Sequence, residues 1–216
     1  IAKIEGSAAS SLLSRAFFYL YPMNRKIHRL FLSIILMGCL SCGNGQERLN
    51  LDKDFQKVEV PGEFSIRLPN YLGEDTSLHE DAILAYQNEF REVAVIVLDE
   101  YQEDLRESLP MLDSYVDTAS FIANYLLAQI SMISESLEFP ENSEPVLTIN
   151  NGYPSAHAWV EGGMEDMDLA YYISCIEANE KVYFILCYTS QKKKTKFEDT
   201  FEKIGASFLA SNVISD

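Results

Sequence analysis

Apolar and polar positions along this chain change period several times, and each change marks an element. Val58-Glu-Val60 and Phe64-Ser-Ile-Arg-Leu68 alternate, with Pro61-Gly62 and Pro69-Asn70 as flanks, and predict two short strands. Ile83 to Asn88 and Val93 to Leu98 predict a hairpin, since Val93-Ala-Val-Ile-Val97 is almost pure β-former. The period then lengthens. From Ser114 to Leu137 the apolar positions Tyr115, Ala119, Ile122, Leu126, Ile130, Ile133 and Leu137 step by three and four, which predicts a long amphipathic helix. A shorter helix is expected from Tyr101 to Leu109, ended by Pro110. After Pro140, strands are expected at Val146–Ile149, Ala156–Glu161, Leu169–Ala178 and Val182–Thr189. Their turns fall at Asn151-Gly152, at Gly162-Gly163 with the acidic tip Glu165-Asp166, and at Asn179-Glu180. Thr195-Lys-Phe-Glu198 has a capping-box pattern, and Phe197, Phe201, Ile204 and Phe208 continue from it at helical spacing.

The strands 169–178 and 182–189 carry apolar side chains at both parities. Tyr171, Ile173 and Cys175 alternate with Tyr172 and Ile176, and Phe184, Leu186 and Tyr188 alternate with Tyr183, Ile185 and Cys187. A sheet with one wet face would show polar residues at one parity. The predicted fold is therefore α+β, a mostly antiparallel sheet sandwiched between helices. A two-residue turn at Asn179-Glu180 sets Cys175 opposite Phe184 and Cys187 opposite Tyr172. The two thiols then lie on opposite faces, where no disulfide can form.

The first forty or so residues have a different character. Met23-Asn-Arg-Lys-Ile-His-Arg29 is a basic segment that runs into the uncharged stretch Leu30–Gly38. A membrane-spanning helix needs roughly 20 apolar residues, so residues 23–42 are read as an export signal. Met23 is then the expected start, with residues 1–22 an upstream start-site artefact. A lipobox needs an apolar residue at −3 and a small one at −1 before an acylated cysteine. Cys39 meets both conditions with Leu36 and Gly38. Cys42 has Ser41 at −1 but a cysteine at −3, and is followed directly by Gly43-Asn-Gly45. Lipidation is expected at one of the two. Cys39-Leu-Ser-Cys42 is formally a C-x-x-C, but inside a targeting segment with no second pair nearby it is not read as a redox or zinc site. Residues 43–57 are expected to be a polar, flexible tether, and residues 58–210 the globular domain.

Up to Cys42 the chain has five basic residues and one acid. That leaves 12 basic and 32 acidic residues of the 17 and 33 in the whole chain, a formal charge of −20 for the body. Such a body repels phosphate backbones, so no nucleic-acid partner is expected.

Candidate chemistry is sparse. His28 belongs to the signal. His79, beside Glu80 and Asp81, is expected in a solvated loop, and His157 is expected as a satisfied histidine on a strand next to Trp159. Acidic clusters stand at Asp99-Glu100 with Glu103-Asp104, at Glu141 with Glu144, and at Glu161 with Glu165-Asp166 and Asp168. None matches a calcium-loop pattern, and a solvated acidic face is the expected state. Lys192-Lys193-Lys194 with Lys196 is read as a solvated turn. No nucleophile elbow, zinc-protease helix or phosphate loop is found. No catalytic residue, cofactor or metal is expected.

The order of elements and the residues Phe64-Ser-Ile-Arg-Leu-Pro69, Asn151-Gly152, Ala156 and Ala158, Tyr171-Tyr172, Val182-Tyr-Phe-Ile185 and Phe201-Glu-Lys-Ile204-Gly-Ala-Ser-Phe208 resemble the PsbP-like and DcrB-like superfamily of α/β/α sandwiches, over about residues 58–209. The resemblance implies a binding or assembly module and supplies no catalytic set. The expected protein is thus a non-enzymatic envelope module, held to a lipid bilayer by an acyl anchor, facing the periplasm or cell surface, with a protein or envelope component as partner. A calcium- or metal-responsive envelope protein using the acidic clusters is the alternative.

Overall fold

A computed structural model describes residues 45–211. Cys39, Cys42, the signal segment 23–42 and residues 1–22 lie outside the described residues. The strands are β1 (Phe55–Val60), β2 (Phe64–Pro69), β3 (Gly73–Glu74), β4 (Leu84–Asn88), β5 (Val93–Tyr101), β6 (Glu138–Asn142), β7 (Val146–Asn150), β8 (Tyr153–Met164), β9 (Met167–Ala178), β10 (Lys181–Ser190) and β11 (Leu209–Ala210). The helices are α1 (Gln102–Ser108), α2 (Phe121–Glu135) and α3 (Lys194–Ala206).

The large sheet has the order β3-β4-β5-β10-β9-β8-β6, with β7 also paired to β8, and every pairing in it is antiparallel. The apolar double parity of β9 and β10 has the expected consequence. Ile173, Phe184 and Leu186 meet Leu126, Ile130 and Ile133 of α2 on one face. Tyr172, Ile185 and Val97 meet Phe197, Phe201 and Ile204 of α3 on the other. This second face has a cover the sequence did not show. A small sheet, β1-β2-β11, lays Phe64, Ile66 and Leu68 beside α3. The fold is α+β, with a mostly antiparallel sheet sandwiched between layers.

The predicted register holds at the thiols. Cys175 pairs with Phe184 and Cys187 with Tyr172. Both cysteines are free and buried on opposite faces. Burial pushes both thiols well up, so they stay protonated and unreactive.

Several boundaries differ, each for a local reason. The long helix begins at Phe121 rather than near Ser114. The Ser120 hydroxyl accepts from the Ala123 N–H at 3.3 Å, while the Asn124 amide holds the preceding loop through Val116 N–H (2.8 Å) and Val116 O (3.1 Å). The capping box at Thr195 does not form. A 3-10 turn at Gln191–Lys193 leads directly into α3, which has no side-chain cap. Gly162-Gly163 lies inside β8 rather than in a turn.

A flexible tether was expected over residues 43–57, and within it residues 47–57 are docked. The Glu47 N–H donates to Lys196 O at 2.7 Å. The Glu47 carboxylate accepts from Arg91 (2.6 Å), Tyr71 Oη (2.9 Å) and Thr200 Oγ1 (3.1 Å), and the Arg91 guanidinium lies 4.0 Å from the centre of the Tyr71 ring. Leu49 and Leu51 pack against the α3-side core. A charge-assisted clamp combined with apolar contact outweighs the chain entropy that a polar sequence suggests.

One core position works against stability. Gln129 of α2 is buried, and neither its Nε2 nor its Oε1 has a hydrogen-bond partner among the described residues. An unsatisfied buried polar group costs about 1–3 kcal/mol. Gln129→Met keeps the shape and removes both groups. It is expected to raise the urea midpoint by the equivalent of about 1–2 kcal/mol with an unchanged slope. A lowered midpoint would contradict the packing described for α2.

Candidate functional site

The residues singled out by the sequence go to several places. His79 is buried rather than solvated, and its Nδ1 accepts the Asp81 N–H at 3.2 Å within the turn that precedes β4. A ring whose nitrogen closes its own turn is held by the backbone and can be covered. His157 is partly buried on β8, its ring 5.7 Å from that of Tyr172, and desolvation lowers its pKa. The first acidic cluster divides. Asp99 pairs with Lys181 at 2.7 Å, which also reaches Glu63 at 2.8 Å. Glu100 turns to the α2 side, where its Oε1 accepts from Tyr125 Oη at 2.6 Å. Glu103 and Asp104 sit in the first turn of α1, where the helix dipole favours them. The lysine run is drawn onto acids, with Lys193 2.9 Å from Glu92 and Lys194 paired with Glu161.

The other two acidic clusters meet, although Glu141 and Glu161 are twenty positions apart in the sequence. β6 pairs with the far end of β8, setting Glu141 opposite Glu161 and Glu138 opposite Gly163. Together with the β8–β9 tip they line one open groove of about 400 Å³, with Glu138, Glu141, Glu161, Glu165, Asp166 and Asp168 around it. Gly162 makes the approach possible. A Cβ there would lie 2.9 Å from Leu137 Cβ and 3.1 Å from Glu138 O, too close for any side chain. No cation is ion-paired to Glu138, Glu141 or Glu144 among the described residues. Nor do three His, Cys, Asp or Glu side chains converge there in a way that would hold a metal ion, among the described residues.

β6 was missed because Pro140 stands in its middle, and proline is rare inside strands except at edges and bulges. It is both here. The register slips between Glu138 and Glu141, and Phe139 sits in the slip with φ of 50°. That conformation is an outlier for a bulky residue, and its side chain is 91% exposed at the mouth of the groove. Strain of this kind, about 1–3 kcal/mol, clusters at functional surfaces.

β7 continues the same edge. It pairs only with β8 among the described residues, through the tight turn at Asn151 (φ 49°) and Gly152 (φ 90°), where two positive φ values suit Asn-Gly. Three of its five side chains are nonetheless apolar and uncovered, with Val146 48%, Leu147 57% and Ile149 67% exposed. A long edge strand, acidic at one end and apolar at the other, is thus the most distinctive surface of the domain.

No protein-family model matches this sequence, and no curated protein matches it. Solved structures do resemble it. The PsbP of the cyanobacterium Synechocystis sp. PCC 6803 is similar at a TM-score of 0.48 and 10% identity, over 81% of this chain and 99% of that one. The Saccharomyces cerevisiae Ran-binding protein Mog1p is similar at 0.48 and 11%, over 72% and 94%. LpqN of Mycobacterium tuberculosis, described as involved in cell envelope biogenesis, is similar at 0.46 and 10%, over 74% and 93%. PsbP, named by the sequence resemblance, is among them. These are likenesses of fold, and no residue role passes from them to this chain.

Proposed function

We propose that this protein is a membrane-tethered lipoprotein whose domain is a non-enzymatic binding or assembly module of the cell envelope. The observation that carries the binding role is the exposed β6–β7 edge. An open sheet edge with uncovered apolar side chains is a liability that folded proteins ordinarily blunt, and it suits a partner better than a reaction. The tether rests on the basic and apolar run 23–38 and on Cys39 or Cys42. The docked Glu47 bears on geometry. Four residues separate it from Cys42, so a lipid on that cysteine keeps Glu47 within roughly 18 Å of the acylated residue.

Metabolic labelling with an alkyne fatty acid tests the anchor. The full chain is expected to label and to sediment with membranes, and the double variant C39A/C42A to lose both properties. The single variants identify the acylated residue. An unlabelled, freely soluble full chain would overturn the proposal.

A further inference from the structure

We infer that the β6–β7 edge accepts a strand from a partner protein: an extended segment with apolar residues at alternate positions and basic residues on the flank that passes β6. This rests on the reading of the domain as a binding module and names the chemistry of its partner. An added strand gains main-chain hydrogen bonds from the open edge and specificity from alternate side chains.

Three observations converge on this edge. First, its two halves are treated differently by the sequence. The β6 half carries the features that discourage pairing: Pro140 with Pro145 just after it, Glu138, Glu141 and Glu144, and the register slip. The β7 half, Val146-Leu-Thr-Ile-Asn150, carries no charge and no proline. A five-residue window is left adhesive beside one that is not. Second, the window is uncovered on both faces. Leu147 and Ile149 pair with Ala156 and Pro154 on one parity, Val146 with His157 on the other, and all three apolar side chains remain exposed. Third, the charge beside the window is predominantly negative. Glu138, Glu141 and Glu144 have no ion pair among the described residues, and Asp166 and Asp168 lie across the groove from Glu138 and Glu141, while Glu161 beside them is already paired with Lys194.

That charge selects the occupant. A second copy of this chain brings a formal charge of −16 against −16, a net repulsion that opposes self-association at this acidic edge. A segment with lysine or arginine next to its strand is complementary and is steered to the edge.

The probes are three labelled peptides measured against the purified chain by fluorescence anisotropy. One alternates Val and Thr and is flanked by lysines. The second has glutamates in place of the lysines. The third is the lysine-flanked peptide N-methylated at alternate amides, which removes one edge of donors. The lysine-flanked peptide is expected to bind, and to weaken at least about 10-fold with the glutamate flank and with added salt. The N-methylated peptide is expected not to bind. Leu147→Glu with Ile149→Glu is expected to abolish binding while leaving the urea midpoint nearly unchanged, because both side chains are already in water. Amide exchange of β7 should slow in the complex. Equal binding of all three peptides, binding that survives the β7 variant, no binding at all, or a dimer formed through β7 would each overturn the inference. Loss of fatty-acid labelling with intact peptide binding would overturn the tether and leave the edge assignment standing.

Discussion

Phe201→Ala is expected to lower the unfolding free energy by about 3–5 kcal/mol, the range for truncating a buried aromatic. Phe201 is fully buried on the sheet-facing side of α3. Its ring stacks on Trp159 at 5.9 Å and on Phe197 at 6.0 Å, so the truncation removes two ring contacts as well as a large apolar volume. The cavity cannot collapse easily, because α3 is pinned from outside by the Glu47 clamp and by the Lys203 Nζ bond to Leu49 O at 2.9 Å. A domain of ordinary stability has about 5–15 kcal/mol in total, so the truncation removes a large fraction of it. Urea denaturation followed by tryptophan fluorescence reads the change, since Trp159 lies against the altered site. Phe90→Ala is the internal control. Phe90 is 92% exposed, and its loss should cost no more than about 0.5 kcal/mol. If the two variants behaved alike, the burial assigned to α3 would be wrong.

Glu100→Gln is expected to stabilise the domain above neutrality and to change little in mild acid. Burial raises the Glu100 carboxyl from 4.5 to about 7, with the Asp99 and Asp104 charges adding to the rise and the Tyr125 hydrogen bond opposing it. The folded state therefore binds a proton that the unfolded state releases between pH 4.5 and about 7. Stability contributed by the protonated group is fully present below pH 4.5 and is lost as pH climbs through this window. With a partial discount for the exposed part of the side chain, the loss amounts to about 2 kcal/mol. Glutamine keeps the acceptor for Tyr125 Oη and has no charge to desolvate. The difference between variant and parent should be near zero at pH 4.5 and reach about 2 kcal/mol by pH 8, read as urea midpoints across the range. Taking the difference cancels the other carboxylates, which are many in this acidic chain. A difference that stayed flat with pH would show that Glu100 is already ionised at no cost.

The two sheet faces were legible in the sequence because they depend on side-chain parity alone. Tyr172 and Ile173 are both apolar neighbours on one strand, so both faces had to be covered, and α2 and α3 cover them. The Cys175 and Cys187 assignment was legible for the same reason, since a two-residue turn at Asn179-Glu180 fixes every partner on the hairpin it closes. The tight turn at Asn151-Gly152 was legible from its residues, since asparagine tolerates positive φ and glycine has no Cβ to oppose it.

The groove was not legible. Glu141 and Glu161 belong to different acidic runs, and only long-range β6–β8 pairing brings them opposite each other. The strand that does this contains a proline and a slip, so neither period nor propensity marks it. The docking of residues 47–57 and the burial of His79 were hidden as well, because a polar stretch reads as solvated until a specific partner is known. Local pattern by itself determined most of the elements, the two buried faces of β9 and β10 and the register between them, all of which follow from neighbours a few residues apart. Tertiary structure alone decided which elements share an edge, which acids converge there, and that β7 was left open, since these depend on contacts between segments whose separation in sequence carries no local signal.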